Sequence, residues 1–167
     1  KQSLKDNGRT FTQQFVALPG KSEHQTGLAI DLGLKKESID FIRPDFPYIG
    51  ICQQFREKSV PYGFIERYPR EKEHITGIAH EPWHFRYVGT PHAEIMREHH
   101  FCLEEYIDFL KRFSQDQPYT FYKDSQEIQI FYLKADTESV SLEVAEDGSL
   151  SVSGNNVDGY IITEWRG

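Results

Sequence analysis

The pattern of hydrophobic and polar positions in the first half of the chain predicts short strands and helices in alternation. Leu28–Leu32 is an apolar run with Asp31 as its one polar member, which predicts a buried strand. Ile49–Ser59 carries apolar residues at helical spacing and predicts a helix. Tyr62–Ile65 and Trp83–Val88 are short, aromatic and β-branched, which is typical of strands.

One long helix and a series of strands are predicted for the rest of the chain. Thr90-Pro91 precedes an apolar stripe and predicts a helix from His92 to about Phe113, with the proline in its first turn. After a plausible linker at Gln115–Pro118, only strand-like runs occur, with turn residues such as Gly154-Asn155-Asn156 between them. The predicted strands are Tyr119–Tyr122, Ile128–Leu133, Val140–Val144, Leu150–Ser153 and Tyr160–Thr163.

These elements predict an α+β fold in two parts. Residues 1–114 would form one domain, a small antiparallel sheet with flanking helices, and residues 118–167 would form a β-rich C-terminal extension. The chain opens within the predicted end of a helix, Ser3–Asn7, which Gly8 stops. We therefore expect that a further piece of the natural protein precedes Lys1.

Composition and charge narrow the class of protein. With 38% hydrophobic and 27% charged residues in 167, the chain has the balance of a folded globular protein. The net charge of −7 argues against a nucleic-acid partner, which would require a basic face. No run approaches the roughly eighteen apolar residues that a transmembrane helix needs. Cys52 and Cys102 permit either one disulfide or two buried free thiols. They therefore do not decide between an oxidising and a reducing compartment.

Two motifs supply the residues of a catalytic zinc site. Ser22–Asp31 follows the pattern S-x-H-x-x-G-x-A-x-D, and the tetrapeptide from Glu81 to His84 follows E-x-x-H. His24, Asp31 and His84 would be three ligands of one Zn²⁺ ion, which leaves a position open for water. Glu81, if it stays off the metal, can act as the general base.

The same residues allow other interpretations. His80 to His84 also spells H-E-x-x-H, in which both histidines bind zinc from one helix. Because Pro82 is unfavourable within a helix, we interpret His80 as a non-ligand. Trp83 can belong either to the core or to the wall of a substrate pocket. Ser22 can either bind substrate or shape its loop.

The two motifs resemble those of the zinc D-alanyl-D-alanine peptidases of the VanY, VanX and VanXY group. Gly63–Pro69, Ile75–Ile78 and His84–Gly89 are also similar to members of the VanY and VanXY branch. The resemblance covers roughly residues 1–113. The ending Ser153–Tyr160 resembles a C-terminal extension of some bacterial VanY-like proteins, for which the sequence indicates no mechanism.

This resemblance implies a zinc-dependent D,D-carboxypeptidase that removes the terminal D-Ala from D-Ala-D-Ala-ended peptidoglycan precursors. By this resemblance His24, Asp31 and His84 would bind the ion and Glu81 would be the base. Ser22 and Trp83 are candidate substrate contacts beside them. A D-Ala-D-Ala dipeptidase, an L,D-carboxypeptidase and a non-catalytic cell-wall-binding module remain alternatives. The resemblance favours the bacterial cell envelope as the location, with the cytoplasm as the alternative. It does not decide between two biological roles, resistance to vancomycin and routine wall turnover.

One departure from the family pattern concerns an arginine. The family has a Tyr-Arg-Ser segment upstream of the first histidine, and its arginine helps to hold the substrate carbonyl. Arg9 is the only arginine before His24 and does not fit that segment. We expect either that the arginine lies upstream of Lys1 or that turnover is slower by about 10²–10³, the usual cost of one lost electrostatic donor.

Overall fold

The computed structural model describes residues 22–135 and 148–166, together with residues 139 and 142. These residues form an α+β fold with two small antiparallel sheets, which confirms the predicted fold class. The chain divides into two compact units, Lys1–Glu104 and Glu105–Gly167. That division lies earlier than the predicted boundary at 114–118. The predicted helix end Ser3–Asn7, Arg9 and the predicted strand Val140–Val144, apart from residue 142, lie outside the described residues.

The sheet of the first unit has three antiparallel strands in the order β1-β3-β2. These are β1 at Ala29–Asp31, β2 at Phe64–Tyr68 and β3 at Glu81–Tyr87. The central strand β3 confirms the strand predicted over Trp83–Val88 and begins two residues earlier. Phe85 on this strand is fully buried and packs in a cluster with Phe46, Cys52 and Trp83. The central strand is therefore held by aromatic packing behind the sheet.

The helices of the first unit flank this sheet. They are α1 at Gly50–Ser59, the single turn α2 at Glu73–Thr76 and α3 at His92–His99, followed by α4 at Leu103–Leu110, which continues into the second unit. Short 3-10 turns lie at Glu23–Thr26, Val60–Tyr62 and Arg70–Lys72. Helix α1 confirms the prediction for Ile49–Ser59. Every helix among the described residues is too short or too polar to cross a membrane.

The second unit contains a four-stranded antiparallel sheet in the order β4-β5-β7-β6. The strands are β4 at Tyr119–Lys123, β5 at Gln126–Lys134, β6 at Ser149–Gly154 and β7 at Gly159–Arg166. They confirm four of the five strands predicted for this region. The turn between β6 and β7 is organised by Asn155, whose buried side-chain oxygen accepts hydrogen bonds from three following backbone amides.

The single long helix predicted from His92 to Phe113 is wrong, because the structure has two helices. Helix α3 ends where His100 adopts a left-handed backbone conformation with φ of 55°. The backbone N–H of Phe101 then donates to the carbonyl of Met96 at 2.9 Å, which closes the helix end. The apolar stripe is nonetheless buried on both sides of the break, at Ile95 and Met96 and again in α4.

Two further details differ from the sequence-based expectation. The strand expected at Tyr62–Ile65 begins only at Phe64, because Tyr62 lies in a 3-10 turn that ends at Gly63. The strand expected to be buried at Leu28–Leu32 is an edge strand of three residues, and the Ile30 side chain is exposed. Cys52 and Cys102 are both buried free thiols.

Candidate metal centre

His24, Asp31 and His84 come together at the edge of the first sheet. One ligand atom from each residue lies within 4.8 Å of the other two. The Nε2 atom of His24 is 3.3 Å from Oδ2 of Asp31, and Nδ1 of His84 is 2.8 Å from Oδ1 of Asp31. His84 is buried, whereas His24 and Asp31 face solvent. Two imidazoles and a carboxylate therefore converge on one open-sided point.

The local backbone explains this convergence. Asp31 and His84 are paired residues in the register of β1 with β3, so their side chains leave the sheet side by side. His24 lies in the 3-10 turn that precedes β1. This turn ends at Gly27, whose φ of 72° favours glycine and whose N–H donates to the carbonyl of His24 at 3.1 Å. The glycine of the motif thus lets the chain reverse into the strand that carries Asp31.

Two of the spacings between donor atoms are close to those of a zinc site. Ligand atoms about 2.0–2.1 Å from zinc at tetrahedral angles lie roughly 3.3 Å from one another. Nε2 of His24 lies at this distance from Oδ2 of Asp31, Nδ1 of His84 lies 2.8 Å from the other oxygen, Oδ1, and the set as a whole spans up to 4.8 Å. Two nitrogens, one carboxylate and an open side are also the donor set of catalytic zinc. Their assignment as ligands stays a prediction.

The electrostatics of the cluster also favour a positive charge at this point. Burial lowers the pKa of the His84 imidazole, but the hydrogen bond to Asp31 and the nearby Glu23 outweigh burial and raise it to about 9. A metal ion would supply the same positive charge, since it binds neutral imidazole and displaces the proton. Burial raises the pKa of Glu81 to about 7, and the charge of His84 opposes this only in part.

Glu81 lies beside the three candidate ligands but is not one of them. Its Oε2 is 3.9 Å from Nδ1 of His84, and only 7% of the residue is exposed. A cleft of about 100 Å³ lies over the cluster, and Glu81, Ser22 and Trp83 line it. Trp83 also packs in the core, so it fits both interpretations of its role. The proposed base and the two proposed substrate contacts thus share one cleft with the three candidate ligands.

The alternative H-E-x-x-H geometry is not formed. The segment after His80 is strand β3 rather than a helix, and residues four apart in a strand lie about 13 Å from each other. His80 instead contacts the hydroxyl of Tyr48 at 2.7 Å and Nη2 of Arg70 at 3.2 Å. It lines a separate cavity of about 530 Å³, which none of the three candidate ligands lines.

Sequence reasoning missed a group of charged residues behind His84. Glu23 lies between the serine and the histidine of the first motif, at a position that the motif leaves unspecified. Its carboxylate is 3.6 Å from Nε2 of His84 and forms an ion pair with Arg67 at 2.8 Å. Arg86 lies 3.3 Å from the same carboxylate. The available signal was the presence of arginine inside the aromatic runs that contain Arg67 and Arg86, because a charged residue in a buried strand requires a partner.

Comparison with known proteins places these features in a family. The family model of the VanY D-alanyl-D-alanine carboxypeptidases matches residues 1–90. The bifunctional D-Ala-D-Ala dipeptidase and carboxypeptidase VanXYC of Enterococcus gallinarum is 56% identical over 109 residues, which are 65% of this chain and 57% of that protein. A D-alanyl-D-alanine carboxypeptidase of Enterococcus faecium is 40% identical over 169 residues, covering 95% of this chain and 52% of that protein.

A solved structure matches over nearly the whole chain. The crystal structure of the vancomycin resistance D,D-dipeptidase VanXYg, in complex with a D-Ala-D-Ala phosphinate analogue, has a TM-score of 0.95 and 56% identity. The match covers 99% of this chain and 66% of that one. The two curated relatives described above are longer than this chain, which spans only about half of the length of each. Since the family model matches more than half of its residues, the chain belongs to the VanY D-alanyl-D-alanine carboxypeptidase family.

Proposed function

We propose that this chain is a zinc-dependent D,D-carboxypeptidase that removes the terminal D-Ala from peptidoglycan peptides ending in D-Ala-D-Ala. The observation that carries the proposal is the convergence of His24, Asp31 and His84, with Glu81 in the same cleft. Membership of the VanY family supports the class of substrate. The cofactor would be one Zn²⁺ ion per chain.

The residues would divide the work of hydrolysis. His24, Asp31 and His84 would hold the zinc ion, which would supply Lewis-acid chemistry for hydrolysis of the peptide bond. Glu81 accepts a proton from the attacking water and passes it to the amine of the departing D-Ala. The hydroxyl part of water ends on the carbonyl carbon as the C–N bond breaks. The products are free D-Ala and a peptide one residue shorter.

The cleft supports the positioning of a small substrate. Trp83 is anchored in the core cluster, so it presents a rigid wall to the cleft. Ser22, two residues before His24, also lines this cleft. Its hydroxyl group can donate or accept a hydrogen bond there. We propose both as substrate contacts. The cell envelope, where peptidoglycan peptides occur, is the proposed location.

A D-Ala-D-Ala dipeptidase is the second candidate activity. The observation that favours it is the 56% identity to VanXYC, which is named for both activities. The two activities use the same bond and the same cluster, and they differ in what the cleft accepts on the amino side of that bond. An L,D-carboxypeptidase would instead cleave between an L- and a D-residue.

The test is the release of D-Ala from three substrates: a pentapeptide ending in D-Ala-D-Ala, the dipeptide itself, and a tetrapeptide with an L,D terminal bond. Each is assayed with zinc and after chelation, on this chain and on any longer natural form of the protein. Zinc-dependent release from the pentapeptide is expected. Zinc binding without release from any substrate by either form would refute the carboxypeptidase and favour a non-catalytic cell-wall-binding module.

A further inference from the structure

Two buried polar atoms face each other behind the candidate metal centre. Oε2 of Glu23 and Nε2 of His84 both lack a hydrogen-bond partner among the residues that the structure describes. They lie 3.6 Å apart, slightly beyond hydrogen-bonding distance. Buried polar atoms without hydrogen-bond partners are costly, so a pair of them in direct opposition requires an explanation. A movement of less than about 1 Å would join them in a charge-assisted hydrogen bond.

The Glu23 carboxylate is held firmly in this place. Nε of Arg67 donates to Oε1 of Glu23 at 2.8 Å, and Nη1 of Arg86 lies 3.3 Å from Oε2. Arg67 is itself fixed, because both of its terminal nitrogens donate to Glu104, at 2.9 and 2.6 Å. The side chains of the two arginines are nearly buried. The carboxylate therefore stands at a defined distance from His84 rather than on a mobile side chain.

The orientation of His84 determines which of its nitrogens can bind a metal. Nδ1 points at Asp31, 2.8 Å away and within the ligand cluster, whereas Nε2 points away from the cluster toward Glu23. Binding through Nδ1 needs the neutral tautomer that carries its proton on Nε2. When a metal ion is bound to Nδ1 and Asp31 is one of its ligands, a carboxylate acceptor next to Nε2 favours that tautomer and fixes the plane of the ring. The Tyr68 ring, 5.1 Å from the imidazole, limits its tilt.

We propose that Glu23 is a positioning residue of the metal centre, which accepts a hydrogen bond from the Nε2–H group of His84 and so directs Nδ1 at the zinc ion. Arg67, anchored by Glu104, holds the carboxylate in place for this purpose. The inference rests on the metal site of the proposed function. It assigns a role to the residue between the serine and the histidine of the first motif, a position that the motif itself leaves unspecified.

The test uses Glu23→Gln, with Glu37→Gln as the matched control. Glutamine has nearly the volume of glutamate, but its single amide oxygen can face either Arg67 or His84 and not both. Glu37 is exposed and apart from the cluster, so the same change there alters charge only. Zinc affinity is measured by competition with a chelator. We expect Glu23→Gln to bind zinc about 10–100-fold more weakly, the usual effect of losing an outer-shell partner, and Glu37→Gln to bind it normally.

A second readout depends on no variant. In the ¹⁵N NMR spectrum of the zinc-loaded wild-type chain, the His84 ring should carry its proton on Nε2, and that proton should exchange slowly with water. A proton on Nδ1 would overturn the inference. Equal zinc affinity of Glu23→Gln and wild type would overturn it as well, while leaving the proposed function intact. If the wild-type chain bound no zinc, both the role of Glu23 and the proposed function would be refuted.

Discussion

Replacing Glu81 with glutamine separates the general base from the metal ligands. Glu81 is only 7% exposed, so a change of nearly equal volume is needed to avoid a cavity. Its Oε2 lies 3.9 Å from Nδ1 of His84, whereas Oδ1 of Asp31 lies at 2.8 Å. Because Glu81 is farther from the cluster centre than the candidate ligands, we expect the Glu81→Gln variant to bind zinc with unchanged affinity.

The rate should fall by a large factor. A positioned side chain that transfers a proton contributes about 10²–10⁴ to the rate. Glu81 is buried and fixed beside the cluster, so solvent cannot easily replace it, and we expect a loss of about 10³–10⁴, or roughly 4–5.5 kcal/mol in activation free energy. The free energy of unfolding should not decrease. Burial raises the pKa of Glu81 because it disfavours the charged carboxylate. The amide of glutamine is neutral, so burying it does not carry this cost.

The assay follows D-Ala release from the pentapeptide at saturating zinc, with zinc content and unfolding measured on the same samples. Glu37→Gln, an equal change at an exposed site, is the control for the loss of charge. A Glu81→Gln variant that keeps more than a tenth of the rate would refute the base assignment. A variant that loses zinc would make Glu81 a ligand instead.

Three further changes test the site and the fold. His84→Ala should lose zinc in metal analysis while His80→Ala keeps it, because only His84 lies in the cluster; loss of zinc from His80→Ala would contradict this assignment. Phe85→Ala should lower the free energy of unfolding in urea by about 3–5 kcal/mol, since its fully buried ring packs on other aromatic rings; a loss below 1 kcal/mol would contradict this packing. Asn155→Ala should destabilise the second unit by about 1–3 kcal/mol in thermal unfolding, because three backbone amides, one of them buried, lose their acceptor; an unchanged midpoint would refute this.

Local sequence pattern predicted the strands of this protein better than its long helix. Strand β3 and the strands of the second unit were predictable because aromatic and β-branched runs bounded by turn residues are local signals. The break at His100 was not predictable, because the apolar stripe continues on both sides of it. A histidine in the left-handed conformation carries no clear mark in sequence, since glycine is the usual residue there.

The local sequence pattern also could not predict the solvent exposure of strand β1. An apolar run such as Leu28–Leu32 predicts a strand, but whether that strand is central or at an edge depends on which strands pair with it. Strand β1 pairs with β3 on one side only, and Ile30 is exposed as a result. Strand order is a property of the assembled sheet, so no window along the chain contains it.

The sequence by itself determined the family and the candidate ligands, because the two motifs place specific donor residues at specific intervals. The tertiary structure alone decided how these distant residues meet. Asp31 and His84 are 53 positions apart, and the register of β1 with β3 brings them together, while His80 is turned toward Tyr48. The partnership of Glu23 with Arg67 was likewise invisible in the sequence. A buried charge must find its partner in space, and only the packed fold specifies where that partner lies.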